Sequence, residues 1–194
     1  MRPHRSILLI VPVTAAALLL LAGCVPDGGT ATPTSTPSPS TSSTPAPTPT
    51  STPIASGTPI TISCDQLITG QAMLDYNPNY TLKADYTPAP GSLGAQALDA
   101  DGIACAWVHG SNGSLIEVSA ADLPDEQLNA IMNELVTSSN PVPTYGVEGY
   151  FRADAGVGVA QVASGSYWIT ASSVAFFEPG DVTPLMEAAI ASLG

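Results

Sequence analysis

Basic residues are scarce in this sequence. Four lysines and arginines stand against sixteen aspartates and glutamates, which gives a formal net charge of −12. Arg2 and Arg5 precede an apolar run near the N-terminus, so only Lys83 and Arg152 remain for the rest of the chain. A surface that binds nucleic acid needs clustered Lys and Arg to neutralise phosphates. The composition therefore argues against nucleic acid as a partner. It fits an acidic extracellular domain, or serves solubility alone.

Histidine is almost absent, and His4 and His109 are the only two. Metal centres built from several imidazole ligands are excluded, because they need more than one histidine in the folded part. A Ser-His-Asp triad would have to use His109, and the sequence has no Gly-x-Ser-x-Gly motif to supply the nucleophile. We predict no catalytic residue and no cofactor, and we expect His109 to be half-exposed and inert at a strand end.

Long apolar runs are also lacking, apart from one over residues 6–20 that follows Arg2 and Arg5. This run is shorter than the about 20 residues of a membrane-spanning helix and is typical of an export signal. The next residues, Leu21-Ala22-Gly23-Cys24, resemble the lipobox of bacterial lipoprotein signal peptides. We expect residues 1–23 to be a cleaved signal and Cys24 to carry lipid, which would hold the protein on the extracytoplasmic face of the membrane. In the alternative, an ordinary secretory signal is cut nearby and Cys24 is incidental.

A tract of low complexity follows the lipobox. From residue 28 to residue 59 the chain is nearly all Thr, Ser, Pro, Ala and Gly, with nothing to bury. Such a composition predicts a disordered tether over residues 24–59. In extended polyproline II form, at about 3.1 Å per residue, it could reach on the order of 100 Å. The tether is either a bare spacer or a site of O-glycosylation.

Cysteine is the third scarce residue, with three in the chain. If Cys24 carries lipid, Cys64 and Cys105 remain as an even pair. A pair of this kind in an exported domain favours a disulfide, because the compartment is oxidising. A closed loop of about forty residues would stabilise the fold by roughly 3–4 kcal/mol. The alternative is two free buried thiols.

The remaining residues, 60–194, have the composition of a single globular domain. Apolar periodicity and turn residues predict an α+β fold in the order α-β-β-α-β-β-β-α, with about five strands in an antiparallel sheet packed with three helices. We predict strands at about 103–109, 115–120, 149–153, 156–163 and 167–174. We predict helices over 64–74, from 122–124 to about 138, and from Asp181 or Thr183 to the C-terminus, with a further helical turn at 92–97.

Asp99-Ala100-Asp101-Gly102 is the most site-like cluster, and it resembles a truncated calcium-binding loop. A complete loop supplies a third acidic ligand, but Ile103 and Ala104 follow here. Asp99 and Asp101 are therefore only weak candidates for calcium ligands, and the alternative is a turn with Asp101-Gly102 at its tip.

Aromatic residues make up 6% of the chain. Three tyrosines fall on an irregular segment and either line a ligand groove or pack as lids over the core: Tyr76, Tyr80 and Tyr86. Four other aromatics are expected in the core or on a sheet face, and an exposed pair could instead stack on a sugar or peptide: Trp107, Trp168, Phe176 and Phe177.

Several short motifs carry a resemblance. Cys64 lies at a predicted helix start, and Cys105-Ala106-Trp107, Gly149-Tyr150-Phe151 and Tyr167-Trp168-Ile169 lie on predicted strands. Over about residues 64–193 this resembles a group of actinobacterial secreted lipoproteins with a Cys…Cys-x-Trp signature, a domain of unknown function. The resemblance implies a fold similar to the PsbP-like α/β sandwich and supports the disulfide. It implies no catalytic residues.

Together these features favour a non-enzymatic, lipid-anchored module of the cell envelope that binds an envelope protein or wall glycan, or supports a complex. The alternative is a cell-wall hydrolase or other envelope enzyme, and a third hypothesis is a calcium-stabilised extracellular module. A deep pocket that contains His109 or two facing carboxylates would favour the enzyme. A shallow face would favour binding.

Overall fold

A computed structural model describes residues 56–194 of the chain. The predicted signal, Cys24 and all but the last four residues of the predicted tether lie outside the described residues. Within 56–194, no helix has both the length and the apolar character needed to cross a membrane.

The described residues form an α+β structure around one antiparallel sheet, which confirms the predicted class. The strand order is β1-β2-β3-β7-β6-β5-β4, so two short strands that were not predicted form the edges. The sheet has seven strands rather than five: β1 (Tyr80–Leu82), β2 (Ile103–His109), β3 (Leu115–Asp122), β4 (Asn140–Pro141), β5 (Glu148–Asp154), β6 (Val157–Ser164) and β7 (Tyr167–Ser173).

The helices also differ in detail from the prediction, because five α-helices are present among the described residues rather than three. A single turn of 3-10 helix, Pro143–Tyr145, precedes β5. The α-helices are α1 (Cys64–Leu67), α2 (Gly70–Tyr76), α3 (Leu93–Asp99), α4 (Asp125–Ser138) and α5 (Pro179–Leu193).

Local capping explains where the helix boundaries moved. The predicted first helix is divided because the Thr69 hydroxyl accepts a hydrogen bond from the Ala72 backbone N–H and so caps a second helix. The last helix starts before the predicted Asp181. Its cap is Glu178, and the Asp181 carboxylate accepts the backbone N–H of Glu178 in a reciprocal capping box.

The sheet has two faces, each with its own apolar cluster. Side chains such as Trp107, Ile116 and Ile169 lie on the α5 face, the side that α1, α2 and α5 cover. Alternate residues of the same strands point to the α4 face, which α3 and α4 cover. There Trp168 packs with Leu128, within the second cluster.

A disulfide joins Cys64 at the start of α1 to Cys105 on β2, with 5.6 Å between the Cα atoms and a sequence separation of 41. The predicted pair is confirmed, and the alternative of two free thiols is wrong. The bond fastens a four-residue helix, too short to be stable alone, to the sheet.

The chain enters the domain at the end of the sheet where β3 finishes. Gly57 N–H donates to the Ala100 carbonyl at 3.2 Å, and Thr58 forms an isolated bridge with Asp122. A Cβ on Gly57 would lie 2.1 Å from the Asp122 carbonyl oxygen, so only glycine fits this close approach. The last residues of the compositional tether are therefore fastened to the sheet.

Candidate functional site

The α4 face of the sheet carries a row of polar side chains across four neighbouring strands. Strand register places Glu117 of β3 opposite Ser172 of β7, Ser172 opposite Val159 of β6, and Val159 opposite Arg152 of β5. Strands lie about 4.8 Å apart, so roughly 14 Å separates the Glu117 and Arg152 backbones. One row therefore presents a carboxylate, a hydroxyl and a guanidinium, and its polar members are partly exposed.

A second polar row lies beside the first and is buried. Ser119, Thr170 and Gln161 are exposed by only 2%, 3% and 5% of their surface. The Ser119 and Thr170 hydroxyls are 2.7 Å apart, and the Trp168 Nε1–H donates to the Gln161 Oε1 at 3.1 Å. These partners offset the cost of burying polar groups on a sheet face. We call the six polar residues of both rows the polar floor: Glu117, Ser119, Arg152, Gln161, Thr170 and Ser172.

Helices cover the polar floor from two sides. Helix α3 packs on β2 and β3, whereas α4 packs on β4, β5 and β6. The central strand of this face, β7, therefore carries Ser172 between the two covers. A cleft of about 300 Å³ opens beside Glu117 and Ser172. Its remaining lining residues are Ser114, Leu115, Val157, Ser173 and Val174.

Tyr86, in the segment between β1 and α3, stands next to Glu117. Burial, together with the charge of the Glu117 carboxylate and its hydrogen bonding, raises the pKa of the Tyr86 hydroxyl well above its ordinary value. Apart from this contact with the Glu117 carboxylate, the buried hydroxyl has no hydrogen-bond partner among the described residues. Glu117 itself accepts the Ser172 hydroxyl at 3.3 Å. We call the polar floor and Tyr86 together the polar groove.

Arg152 is the second group of the groove with unused hydrogen-bonding capacity. Its Nε is buried and has no hydrogen-bond partner among the described residues. Residues 56–194 contain fifteen acidic side chains and only two basic ones, so carboxylates are abundant, yet none of them forms an ion pair with this guanidinium. A buried donor without a partner costs free energy. The guanidinium fork suits a carboxylate or another planar anion.

A larger cleft of about 570 Å³ lies between α2 and α5 on the other side of the sheet, and Asp75, Tyr76, Asp181 and Glu187 are among its lining residues. Burial is the main cause that raises the pKa of Tyr76 to about 12, and the charges of Tyr80 and Asp181 add to it. The Asp181 carboxylate already accepts the Glu178 backbone N–H in the capping box of α5. This acidic cleft is therefore explained by helix capping and solvation.

His109 lies at the end of β2, as predicted. Its Nδ1 accepts the Ser111 backbone N–H at 3.2 Å, and its ring meets the Tyr80 ring edge-on at 4.9 Å. Neither of the two clefts described above includes His109.

The two weak calcium candidates lie on a turn. Asp99 ends α3, and Asp101 has the left-handed φ of 59° that a tight turn before β2 requires. Both residues are exposed. Within 56–194, no group of three or more His, Cys, Asp or Glu side chains is placed to hold a metal ion.

The aromatic residues separate into core and surface. Of the seven aromatics singled out from the sequence, five are buried or partly buried in the two clusters: Tyr76, Tyr80, Trp107, Trp168 and Phe176. Phe177 is 80% exposed, so its expected place in the core or on a sheet face is wrong. The reason is that β7 ends at Ser173, and Phe177 lies in the turn that leads to α5. Of the three tyrosines, Tyr86 alone reaches the polar groove.

Comparison with known proteins gives no guide to the groove, since no protein-family model, curated protein or solved structure matches the chain. The function is therefore argued from the side chains. Sequence reasoning missed the polar floor, although one signal was present. Glu117, Arg152 and Gln161 interrupt apolar strand segments at positions that a solvent-facing strand would also leave polar.

Replacing Glu117 with glutamine is expected to lower the pKa of Tyr86, because the substitution removes the negative charge that disfavours the phenolate. An alkaline absorbance titration of the tyrosines, compared with that of the Tyr86→Phe variant, measures the effect. Glu134→Gln is the matched control, since Glu134 is exposed on α4. Equal Tyr86 midpoints in the Glu117→Gln and Glu134→Gln variants would contradict the placement of Tyr86 beside Glu117.

Proposed function

We propose that this protein is a lipoprotein anchored on the extracytoplasmic face of the membrane through Cys24, and that its domain binds a small polar ligand in the polar groove without transforming it. The observation that carries the proposal is the buried Arg152 Nε, which has no hydrogen-bond partner among the described residues and lies in one row with the Glu117 carboxylate. Buried polar groups are normally hydrogen-bonded, so this exception favours a partner that completes it.

The composition of the groove supports binding rather than hydrolysis. Glycoside hydrolysis by paired carboxylates needs two of them about 5–10 Å apart. Glu117 is the one carboxylate of the polar floor, and its hydrogen-bonding neighbour in the same row is the Ser172 hydroxyl. Asp154, which shares this face beside Arg152, lies three strands from Glu117, at roughly 14 Å or more, and this is too far for such a pair. The floor contains no histidine that could serve as a base for that hydroxyl.

The disulfide supports membership of the actinobacterial lipoprotein group that the sequence resembles. Cys64 lies at the start of a helix, and Cys105 and Trp107 lie on one strand with their side chains on the same face. We propose that the chain belongs to this group and that its ligand is a component of the cell envelope, either wall glycan or an envelope protein's exposed polar segment.

The tether suits this placement. Its described end is fastened beside Asp122, and Glu117 lies five residues earlier on the same strand. At about 3.4 Å per residue, roughly 17 Å separates the two along the strand. The described end of the tether therefore joins the sheet at a distance from Glu117.

A Cys24→Ser variant is expected to leave the membrane fraction, because the acyl chains on that sulfur provide the anchoring free energy at about 0.8 kcal/mol per buried CH₂. Detergent-free fractionation with immunodetection measures the distribution. Val25→Ala keeps the cysteine and should remain with the membrane. A Cys24→Ser protein that stays in the washed membrane fraction would contradict anchoring through lipid on Cys24.

A further inference from the structure

The two ends of the exposed polar row carry opposite charges. Glu117 stands at one end on β3 and Arg152 at the other end on β5, with Ser172 and Val159 between them. Both charged residues point to the same face, because the register places them in one row. The groove is therefore dipolar, and a complementary ligand has a cation near Glu117 and an anion near Arg152.

The charge of the whole domain restricts the ligand further. With fifteen acidic and two basic side chains in residues 56–194, the domain repels a ligand that carries only negative charge. A ligand that carries only positive charge leaves the Arg152 Nε without a partner. A zwitterion avoids both costs, because it has no net charge and satisfies both ends of the row.

Distance and lining set the size of the ligand. Roughly 14 Å separates the backbones of the two charged residues, and a hydrogen bond at each end of a ligand takes about 3 Å of this span. An extended peptide of two or three residues covers about 7–11 Å. The cleft of about 300 Å³ beside Glu117 lies at the lower limit for small-molecule sites. Its apolar lining by Leu115, Val157 and Val174 suits small aliphatic side chains.

We propose that the polar groove binds a short peptide with free termini and small side chains, with its carboxylate on Arg152 and its ammonium against Glu117. The Tyr86 hydroxyl lies beside Glu117 and interacts with its carboxylate, so an ammonium bound at Glu117 also lies near this hydroxyl. This inference rests on the proposed function, namely that the groove holds a ligand.

The test is calorimetric titration of the full chain, extracted in detergent, with Ala-Ala as the probe. N-acetylated and C-amidated forms of the same dipeptide are expected to bind at least about tenfold more weakly, because each loses a charge-assisted hydrogen-bonding group. Arg152→Gln should weaken the binding of free Ala-Ala and leave the affinity for the amidated form unchanged. Glu117→Gln should weaken the binding of free Ala-Ala and leave the affinity for the acetylated form unchanged. The control Glu134→Gln should change neither affinity.

The variants distinguish loss of a contact from loss of the fold. Arg152→Lys keeps the positive charge, so it should retain more affinity than Arg152→Gln, and melting temperatures show whether each variant is folded. Parallel titrations with L-Ala-L-Ala and D-Ala-D-Ala identify the source, since D residues mark peptides of the wall. Binding of either enantiomer with the expected dependence on both termini supports the inference.

Two outcomes overturn it. Equal affinity for free and amidated dipeptide removes the role of Arg152 as a carboxylate site. No binding of any dipeptide refutes the peptide inference. In that case a titration with soluble wall digest separates the two claims: a digest that binds in an Arg152-dependent manner preserves a ligand site in the groove, and a digest that does not bind removes the proposed function as well.

Discussion

Replacing both Cys64 and Cys105 with alanine is expected to lower the free energy of unfolding by about 4 kcal/mol. The disulfide closes a loop with a sequence separation of 41 residues, and the chain-entropy model assigns roughly this stabilisation to a loop of that length. For a domain of this size the loss corresponds to a fall of about 10–20 °C in melting temperature. Chemical denaturation of the double variant, beside the oxidised parent, measures it.

The disulfide prediction has two internal controls. The parent protein, once reduced and alkylated, should lose a similar amount of its free energy of unfolding. Its mass should increase by two alkyl groups only when alkylation follows reduction. Cys24→Ala should leave the free energy of unfolding of the domain unchanged, because the disulfide joins Cys64 to Cys105 and does not involve Cys24. A loss below about 1 kcal/mol in the double variant would contradict the stapling of α1 to β2.

Trp168→Ala is expected to lower the free energy of unfolding by about 4 kcal/mol, within the range of large-to-small core substitutions. The side chain is fully buried on the α4 face, in one cluster with Leu128 and Met132, so alanine would leave a cavity there. The substitution also removes the Nε1–H that bonds to Gln161, so a buried amide oxygen of the polar floor loses its donor. Urea denaturation of the variant and parent gives the difference.

Two further variants separate the contributions to the Trp168 effect. Trp168→Phe retains most of the side-chain volume. It should lower the free energy of unfolding by about 1–3 kcal/mol, mainly because the hydrogen bond to Gln161 is lost. Phe177→Ala is the surface control, because that ring is 80% exposed and its removal should change stability by about 0.5 kcal/mol or less. If Trp168→Ala and Phe177→Ala have equal costs, the burial of Trp168 under α4 is wrong.

Much of the fold follows from local signals in the sequence. The alternation from Ile103 to His109 and the tight turn at Ser164-Gly165 identify strands and a hairpin, because strand side chains alternate between faces. The even pair Cys64 and Cys105 identifies the disulfide. These features depend on neighbours in sequence or on simple counting, so no tertiary contact is needed to find them.

Other parts of the fold depend on contacts that no local pattern contains. Strands of two or three residues, such as Asn140–Pro141, show no periodicity, and pairing with β5 alone defines this one. The break between α1 and α2 results from the Thr69 cap, which competes with a helical stripe that continues across it.

The candidate site is the least predictable part. Glu117 and Arg152 lie 35 positions apart in sequence and are brought into one row only by the register of four strands. A polar residue in a strand normally indicates a solvent-facing position. Here the same alternation leads to a partly covered groove, because α3 and α4 pack on that face.

The central claim is that the groove binds a ligand through Arg152, and the most direct measurement is the side-chain Nε–H NMR signal of this residue. Once the export segment is removed, Arg152 is the one arginine left in the sequence, so its Nε–H resonance needs no assignment. We predict that adding soluble wall digest shifts this signal to saturation and slows its exchange with water, while Glu134→Gln leaves the response intact. A signal that stays unchanged in folded protein at saturating digest would contradict the account.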